Sequence, residues 1–318
     1  MRSVLELPRR WVIALIAAVA TVYAAFPPRA TVVLVDEIAF QDTLRRMRDG
    51  AGYYEATSEA FARLDAALAS VTSFRTPFPF LLWRWVPDDL LYPFAVAVVV
   101  VVTCALMTRL TVYPVIVLPI AVYLLYVSRG TFEAWLHPEL WTLPLLAGSM
   151  VAYRRRSFGV AAALACGAFL VRDLAGLLLV GGAIDAIRRR RAIPAWMLAA
   201  GVGVTVFATH LVLASRYLHA VGGEAERFGT GDPPRTVLAM AGFRLPLLVG
   251  LVIWIVAFPA LRRRGELLLA GPLALLPLAG ILVNRPYWGI LVTPFFLLWA
   301  LDLACDAWTR RAVKVATG

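Results

Sequence analysis

Two kinds of residue in this chain have side chains suited to chemistry on another molecule: acids placed early, and arginines that stand apart from the arginine clusters. The acids begin with Asp36 and Glu37 in "VDEIAF", directly after the first apolar stretch, and continue with Asp49 in "MRDGAGYYEA". A positioned carboxylate can take up a proton. An acid opening a helix is equally an ordinary complement to the helix dipole. The isolated arginines are Arg75, Arg172, Arg244 and Arg285, and a guanidinium holds phosphate oxygens in a forked geometry that a point charge cannot match. Arg172 is followed by Asp173, so these two can also simply neutralise each other. Tyr53, Tyr54 and Tyr287 can stack on a ring or hydrogen-bond it. Tyr54, however, shares an apolar stripe and reads as packing, and Tyr287 beside Trp288 suits an interfacial aromatic belt.

These residues belong to a chain whose composition suits a bilayer. Of its 318 residues 61% are hydrophobic and its mean hydropathy is +0.77, against about 45–50% apolar in an average globular domain. A net charge of +11 would suggest nucleic acid in a soluble protein. Here most arginines lie in short clusters between apolar runs, a topology signal that calls for no nucleic-acid partner. Cys104, Cys166 and Cys305 each sit in an apolar run without pairing or metal-ligand spacing. His137, His210 and His219 are too scattered for a metal site, and neither an Asp-x-Asp nucleotide-sugar motif nor a phosphate loop occurs. A metal-dependent nucleotide-sugar enzyme and a phosphate-loop ATPase are thereby disfavoured. No cofactor is expected, and a divalent metal is left open.

Apolar runs at 11–26, 90–107, 112–127, 140–153, 158–171, 174–187, 196–214, 245–261, 268–283 and 289–303 predict an all-α polytopic bundle of about ten spans. The first is read as an uncleaved anchor, and residues 1–318 as one integral-membrane domain. With a cytoplasmic N-terminus and alternating runs, Arg9-Arg10, Arg109, the arginines at 154–156, 188–191 and 262–264, and Arg310-Arg311 all fall on one side, as the positive-inside rule requires. Both termini are then cytoplasmic, in the cytoplasmic (inner) membrane. Glu6, Asp185, Glu266, Asp302 and Asp306 lie on or near that side, leaving fifteen of the twenty acids outside. Chemistry is therefore expected on the outer, periplasmic or extracellular, face. Asp302, Asp306 and Arg310, spaced four apart, read as an ion-pair ladder on one helix.

The elements that would position the candidate residues follow from spacing. Residues 157–191 have arginine clusters at both ends, so they must form a hairpin of two short helices with Arg172-Asp173 at its outer turn. Charges at such depth cost roughly 2.5–3.5 kcal/mol each unless paired or useful. The outer loop at 36–88 reads as an amphipathic helix over 36–48, a break at Gly50 and Gly52, and a second amphipathic helix from Tyr54. On that second helix Glu59 and Arg63 are spaced for an i, i+4 pair. Both helices are expected at the membrane interface. "RTPFPFLLWRW" then re-enters the membrane, its prolines forbidding a regular helix and Trp83 and Trp85 suiting the headgroup belt. A second outer loop at 215–235 reads as a linker.

A first span followed at once by an acidic pair, two juxtamembrane helices and an Arg-Pro-rich re-entry resembles the C-type (GT-C) membrane glycosyltransferases. "VDEIAF" is similar to the Asp-Glu motif opening the first outer loop in their mannosyl- and aminoarabinosyltransferase branch. "MRDGAGYYEA", "FRTPFPFLLW", "FLVRDLAG" and "RPYWGILVTP" resemble segments of a family of short bacterial membrane proteins of GT-C type. The resemblance implies transfer of a sugar from a polyprenyl-phosphate donor to a lipid, glycan or protein acceptor on the outer face. It implies Asp36 as the base, with Glu37 its neighbour and Asp49 in reserve. Phosphate would fall to Arg75, Arg172, Arg244 and Arg285, with Asp173 beside them, and sugar contacts to Tyr53, Tyr54 and Tyr287. No large outer domain is expected, so acceptor recognition is expected from short loops or from another protein. The competing readings are a transporter or lipid flippase, for which charges through mid-membrane and internal repeats are expected, and an inactive GT-C-like scaffold.

Overall fold

A computed structural model describes residues 7–25, 35–64, 74–129, 138–221, 247–274, 276 and 292–317. Among these, all regular structure is helical. After α1 (Arg9–Ala25) come the insert helices α2 (Val35–Arg48) and α3 (Tyr53–Leu64) and a short α4 (Phe78–Trp83). The rod α5 follows, built from Asp88–Ala95, a wider π-wound Val96–Val102 and Thr103–Met107. Then come α6 (Val117–Arg129), α7 (Pro138–Arg154), α8 (Phe158–Val171), α9 (Gly176–Arg189), α10 (Ile193–Val221), α11 (Leu247–Arg263), α12 (Leu267–Ala270) and α13 (Thr293–Thr317).

The centre of the fold is α7, apolar on almost every face and buried along most of its length, with α8 and α5 packed against it. A helix without a polar side has to be enclosed by protein or lipid. Around it the outward surfaces are themselves apolar, with Trp11, Val122, Val160, Leu198, Val204 and Ile255 exposed. Soluble proteins rarely leave so much apolar surface open. Among the described residues, two helical stretches, Leu90–Met107 and Ile193–Tyr217, are long and apolar enough to cross a membrane.

The expected hairpin is present. Between α8 and α9 the backbone of Arg172 is extended, at φ −147° and ψ 114°, and a 3-10 turn over Asp173–Ala175 reverses the chain. Ser149 donates to the Ala161 carbonyl at 2.8 Å, tying α7 to α8. On α9, a Cβ added at Gly181 would lie 2.2 Å from the Leu269 carbonyl oxygen and 2.6 Å from that of Leu268. These are backbone atoms of α12 and cannot swing aside. Gly181→Ala should therefore lower stability by about 1–3 kcal/mol, outweighing the ~1 kcal/mol gained in helix propensity. Gly201→Ala on α10, where a Cβ meets open space, should be neutral or slightly stabilising. Thermal unfolding of the detergent-purified chain reads both.

The insert forms the expected pair of helices. They meet at Gly50, whose φ of +103° is a conformation that L side chains rarely adopt. Their faces differ from expectation in one respect: Glu59 pairs with Arg46 of α2 and not with Arg63, because the two helices lie side by side. The re-entry segment also departs from the expected irregular chain. Its prolines start α4 instead of preventing it, since Pro77 is the N-cap and Pro79 stands in the first turn, where a missing N–H costs nothing. Trp83 is fully buried against Phe80 and Trp141, whereas Trp85 is exposed. The second loop begins later than expected, because α10 continues through Val221.

At the arginine-rich end, Asp302 does not join a ladder with Asp306 and Arg310. It is 1% exposed, pairs with Arg264 and accepts a hydrogen bond from Thr111. Burial decides this, since a carboxylate removed from water needs a partly buried cation beside it more than a solvated helix neighbour.

Candidate functional site

Three consecutive residues of the re-entry segment, Phe74 to Thr76, are each bonded to a different part of the fold. The Tyr53 hydroxyl of α3 donates to the Arg75 carbonyl. The Thr76 hydroxyl donates to the Val171 carbonyl at 2.7 Å, on the end of α8. The Phe74 carbonyl is 2.9 Å from Nε2 of His210 on α10. A carbonyl only accepts, so Nε2 carries the proton. Nδ1 of the neutral ring is then the acceptor for the Tyr54 hydroxyl at 3.0 Å.

The corner at Met47–Tyr54 grips the same segment from its other end. Arg48 donates to the carbonyls of Val86 at 2.7 Å, Arg84 at 3.4 Å and Trp83 at 3.5 Å. These are the carbonyls at and just past the C-terminus of α4, where a cation complements the helix dipole. The corner is thus a clamp that fixes the approach to Arg75.

Arg75 is 9% exposed, with its guanidinium 5.9 Å from the centre of the Phe40 ring. Beyond the Thr76 bond lies the hairpin corner. There Arg172, 4% exposed, places Nε 2.6 Å from Glu139 Oε1 and donates from a terminal nitrogen to Asp173 Oδ1 at 2.7 Å. Arg172 and Asp173 do pair, one of the two readings of the sequence, but the deeper partner is Glu139 of α7, 1% exposed. Glu139 was not singled out from sequence; its one signal was an acid at the start of a nearly all-apolar run, in "HPELW". His210 was set aside from sequence as one of three scattered histidines. Its role here is a hydrogen-bonded link between α3 and the 74–76 segment.

Of the sequence-predicted residues, Tyr53, Tyr54, Arg75, Arg172 and Asp173 therefore come together. The two tyrosines exchange the expected parts: Tyr53 is buried at 6%, while Tyr54 is half-buried with its hydroxyl on His210. Burial pushes the Tyr54 phenol up to about 12 and the Tyr53 phenol higher still, so both stay protonated donors at neutral pH. Asp49 is not part of the group; it is exposed on the turn after α2. Asp42 is the acid that helps hold the insert. Burial raises its carboxyl, but Arg46 and Arg45 together outweigh that and hold it below the usual range. Arg244, Arg285 and Tyr287 lie outside the described residues, as do the side chains of Asp36 and Glu37. The backbone of α2 still separates the last two. Position 36 is in helical register with Phe40, Leu44 and Met47, all buried, whereas position 37 is in register with exposed Gln41.

Beside this group is a cavity of about 200 Å³, lined mainly by apolar groups of α8 and α10. Tyr54, Thr76 and His210 also line it. No protein-family model, curated protein or solved structure matches the chain.

Among the described residues the buried charges form two groups. Arg75, Glu139 and Arg172 make one, and Asp185, Glu266 and Asp302 with their arginines the other. Glu139 and Arg154, at opposite ends of α7, put the groups about 22 Å apart at 1.5 Å per residue.

Proposed function

We propose that the chain is a polytopic membrane glycosyltransferase of GT-C type, moving a sugar from a polyprenyl-phosphate donor to an acceptor at the end of the bundle that carries α2 and α3. The observation that carries this reading is that the segment bearing Arg75 is held by Tyr53 and, through Thr76, by the end of α8 next to Arg172, with Tyr54 and an apolar cavity beside it. In this reading about ten spans cross the cytoplasmic membrane, the arginine clusters face the cytoplasm, and the α2–α3 end faces outward.

The chemistry asks for few groups. A carboxylate takes the proton of the acceptor hydroxyl as its oxygen bonds to the anomeric carbon. The bond from that carbon to the phosphate oxygen breaks, and the departing polyprenyl phosphate gathers negative charge that guanidinium groups stabilise. Asp36 is assigned the first role in preference to Glu37, because its helical register is that of Phe40, over whose ring Arg75 sits. Arg75 and Arg172 are assigned the second. The separation of buried charges into two end groups favours this reading over a transporter, which needs charged groups along a path between the ends.

The test is transfer of radiolabelled sugar from a panel of polyprenyl-phosphate donors in reconstituted membranes. The expected result is transfer by the wild type and a fall of about 10²-fold or more in Asp36→Asn, with the variant still folded. Full activity in Asp36→Asn would remove Asp36 as base. No turnover of any donor by the wild type, with an acceptor panel of lipids, glycans and peptides, would count against the transferase.

A further inference from the structure

We infer that the arginine-rich end of the bundle, opposite the proposed transfer site, binds the phosphate of an anionic membrane lipid. The inference starts from a cavity of about 440 Å³ between the start of α1, the turn after α5, the ends of α7 and α11 and the middle of α13. That size falls within the range of roughly 300–1,000 Å³ typical of small-molecule sites.

Its floor is rigid. The carbonyl of Leu110 accepts from Arg154 and, at 2.6 Å, from Arg264, and the Thr111 carbonyl accepts from Arg9 at 3.4 Å. Three arginines from three parts of the chain thus fix one turn. Arg154 and Arg264 are neutralised by Glu266 and Asp302, both buried. Asp306 is engaged by the Tyr113 hydroxyl at 3.2 Å.

The rim is different. Arg109, Arg263 and Arg310 line the cavity, and none has a carboxylate within ion-pair distance among the described residues. With Arg154 and Arg264 paired, and Arg9 offset in net charge by Asp306, the three rim guanidiniums leave an excess of positive charge that an anion would relieve. Forked donors suit phosphate oxygens. The same cavity is bordered by Val112, 69% exposed, and by Leu303 and Ala260. An apolar border next to a cationic rim matches a headgroup with its acyl portion attached better than it matches a free ion, and basic pockets between membrane helices take lipid headgroups in this way.

The experiment measures thermal unfolding of the detergent-purified full chain while phosphatidylglycerol, phosphatidylcholine or inorganic phosphate is added. Wild type should be stabilised by phosphatidylglycerol and not by phosphatidylcholine. In Arg109→Gln/Arg263→Gln/Arg310→Gln, whose arginines are exposed and whose fold should survive, the lipid fraction giving half the shift should rise about ten- to a hundred-fold. An equal-charge control, Arg155→Gln/Arg188→Gln/Arg190→Gln, removes exposed arginines outside the cavity and should keep the wild-type response. Loss of the response in both variants would overturn the site in favour of diffuse surface charge. An unchanged response in the rim variant would overturn it outright, and an equal shift from inorganic phosphate would overturn the lipid assignment.

Discussion

Arg172→Ala should destabilise the protein by about 3–5 kcal/mol and abolish the proposed sugar transfer. Arg172 is 4% exposed and contacts two carboxylates, Glu139 at 2.6 Å and Asp173 at 2.7 Å. Removing one partner from a buried ion pair is costly because the other has lost water without the compensating charge. The loss is a large part of a typical total stability of about 5–15 kcal/mol. Arg172→Lys should recover only part of it, since a single ammonium cannot match the fork that meets both acids. The double variant Arg172→Gln/Glu139→Gln separates structure from function. If the two residues are energetically coupled, it should be more stable than Arg172→Ala, because no buried charge of the pair remains. If Arg172 holds the donor phosphate, it should still lack transfer. Chemical denaturation and the radiolabel assay report the two quantities independently. Recovered activity in the folded double variant would leave Arg172 a structural residue only.

Asp302→Ala should cost a comparable 3–5 kcal/mol with no direct effect on transfer. Asp302 joins α13 to the turn after α5 through Thr111 and to the end of α11 through Arg264. It lies in the buried group at the far end of α7, so the chemistry of the other end should continue in every molecule that remains folded. Asp302→Asn keeps an acceptor for Thr111 while losing the charge, and should fall between the wild type and Asp302→Ala. Replacing the pair with apolar residues, as in Asp302→Leu/Arg264→Met, should restore much of the stability. The check is transfer activity normalised to folded protein, taken beside an unfolding curve. A fall in normalised activity matching that of Arg172→Ala would mean that the two ends are coupled.

The insert shows how far a linear reading goes. Helical spacing and two glycines were enough to mark α2, α3 and the break between them, because backbone propensity and amphipathic period are local properties. Which residues those helices hold was not local. Glu59 chose Arg46 over Arg63 because the antiparallel packing of α2 on α3 brought a second helix alongside. Tyr53 and Tyr54 were both visible as candidates, yet the distribution of burial between them came from α10, which brings His210 to Tyr54. The same holds for α4, whose prolines read as breakers until their position in its first turn is known.

By itself the sequence determined an all-helical, strongly apolar chain, the α8–α9 hairpin with Arg172 at its corner, and the gathering of arginines at element ends, all of which follow from hydrophobic periodicity and charge placement along the chain. Only the tertiary structure decided that Glu139 is the deep partner of Arg172, that Phe74, Arg75 and Thr76 are held by three different elements, and that Asp302 answers Arg264. The physical reason is common to all three. A buried polar group must find its partner within a few ångströms in space, and residues 33, 22 to 136 and 38 positions apart are brought to that distance only when the helices pack.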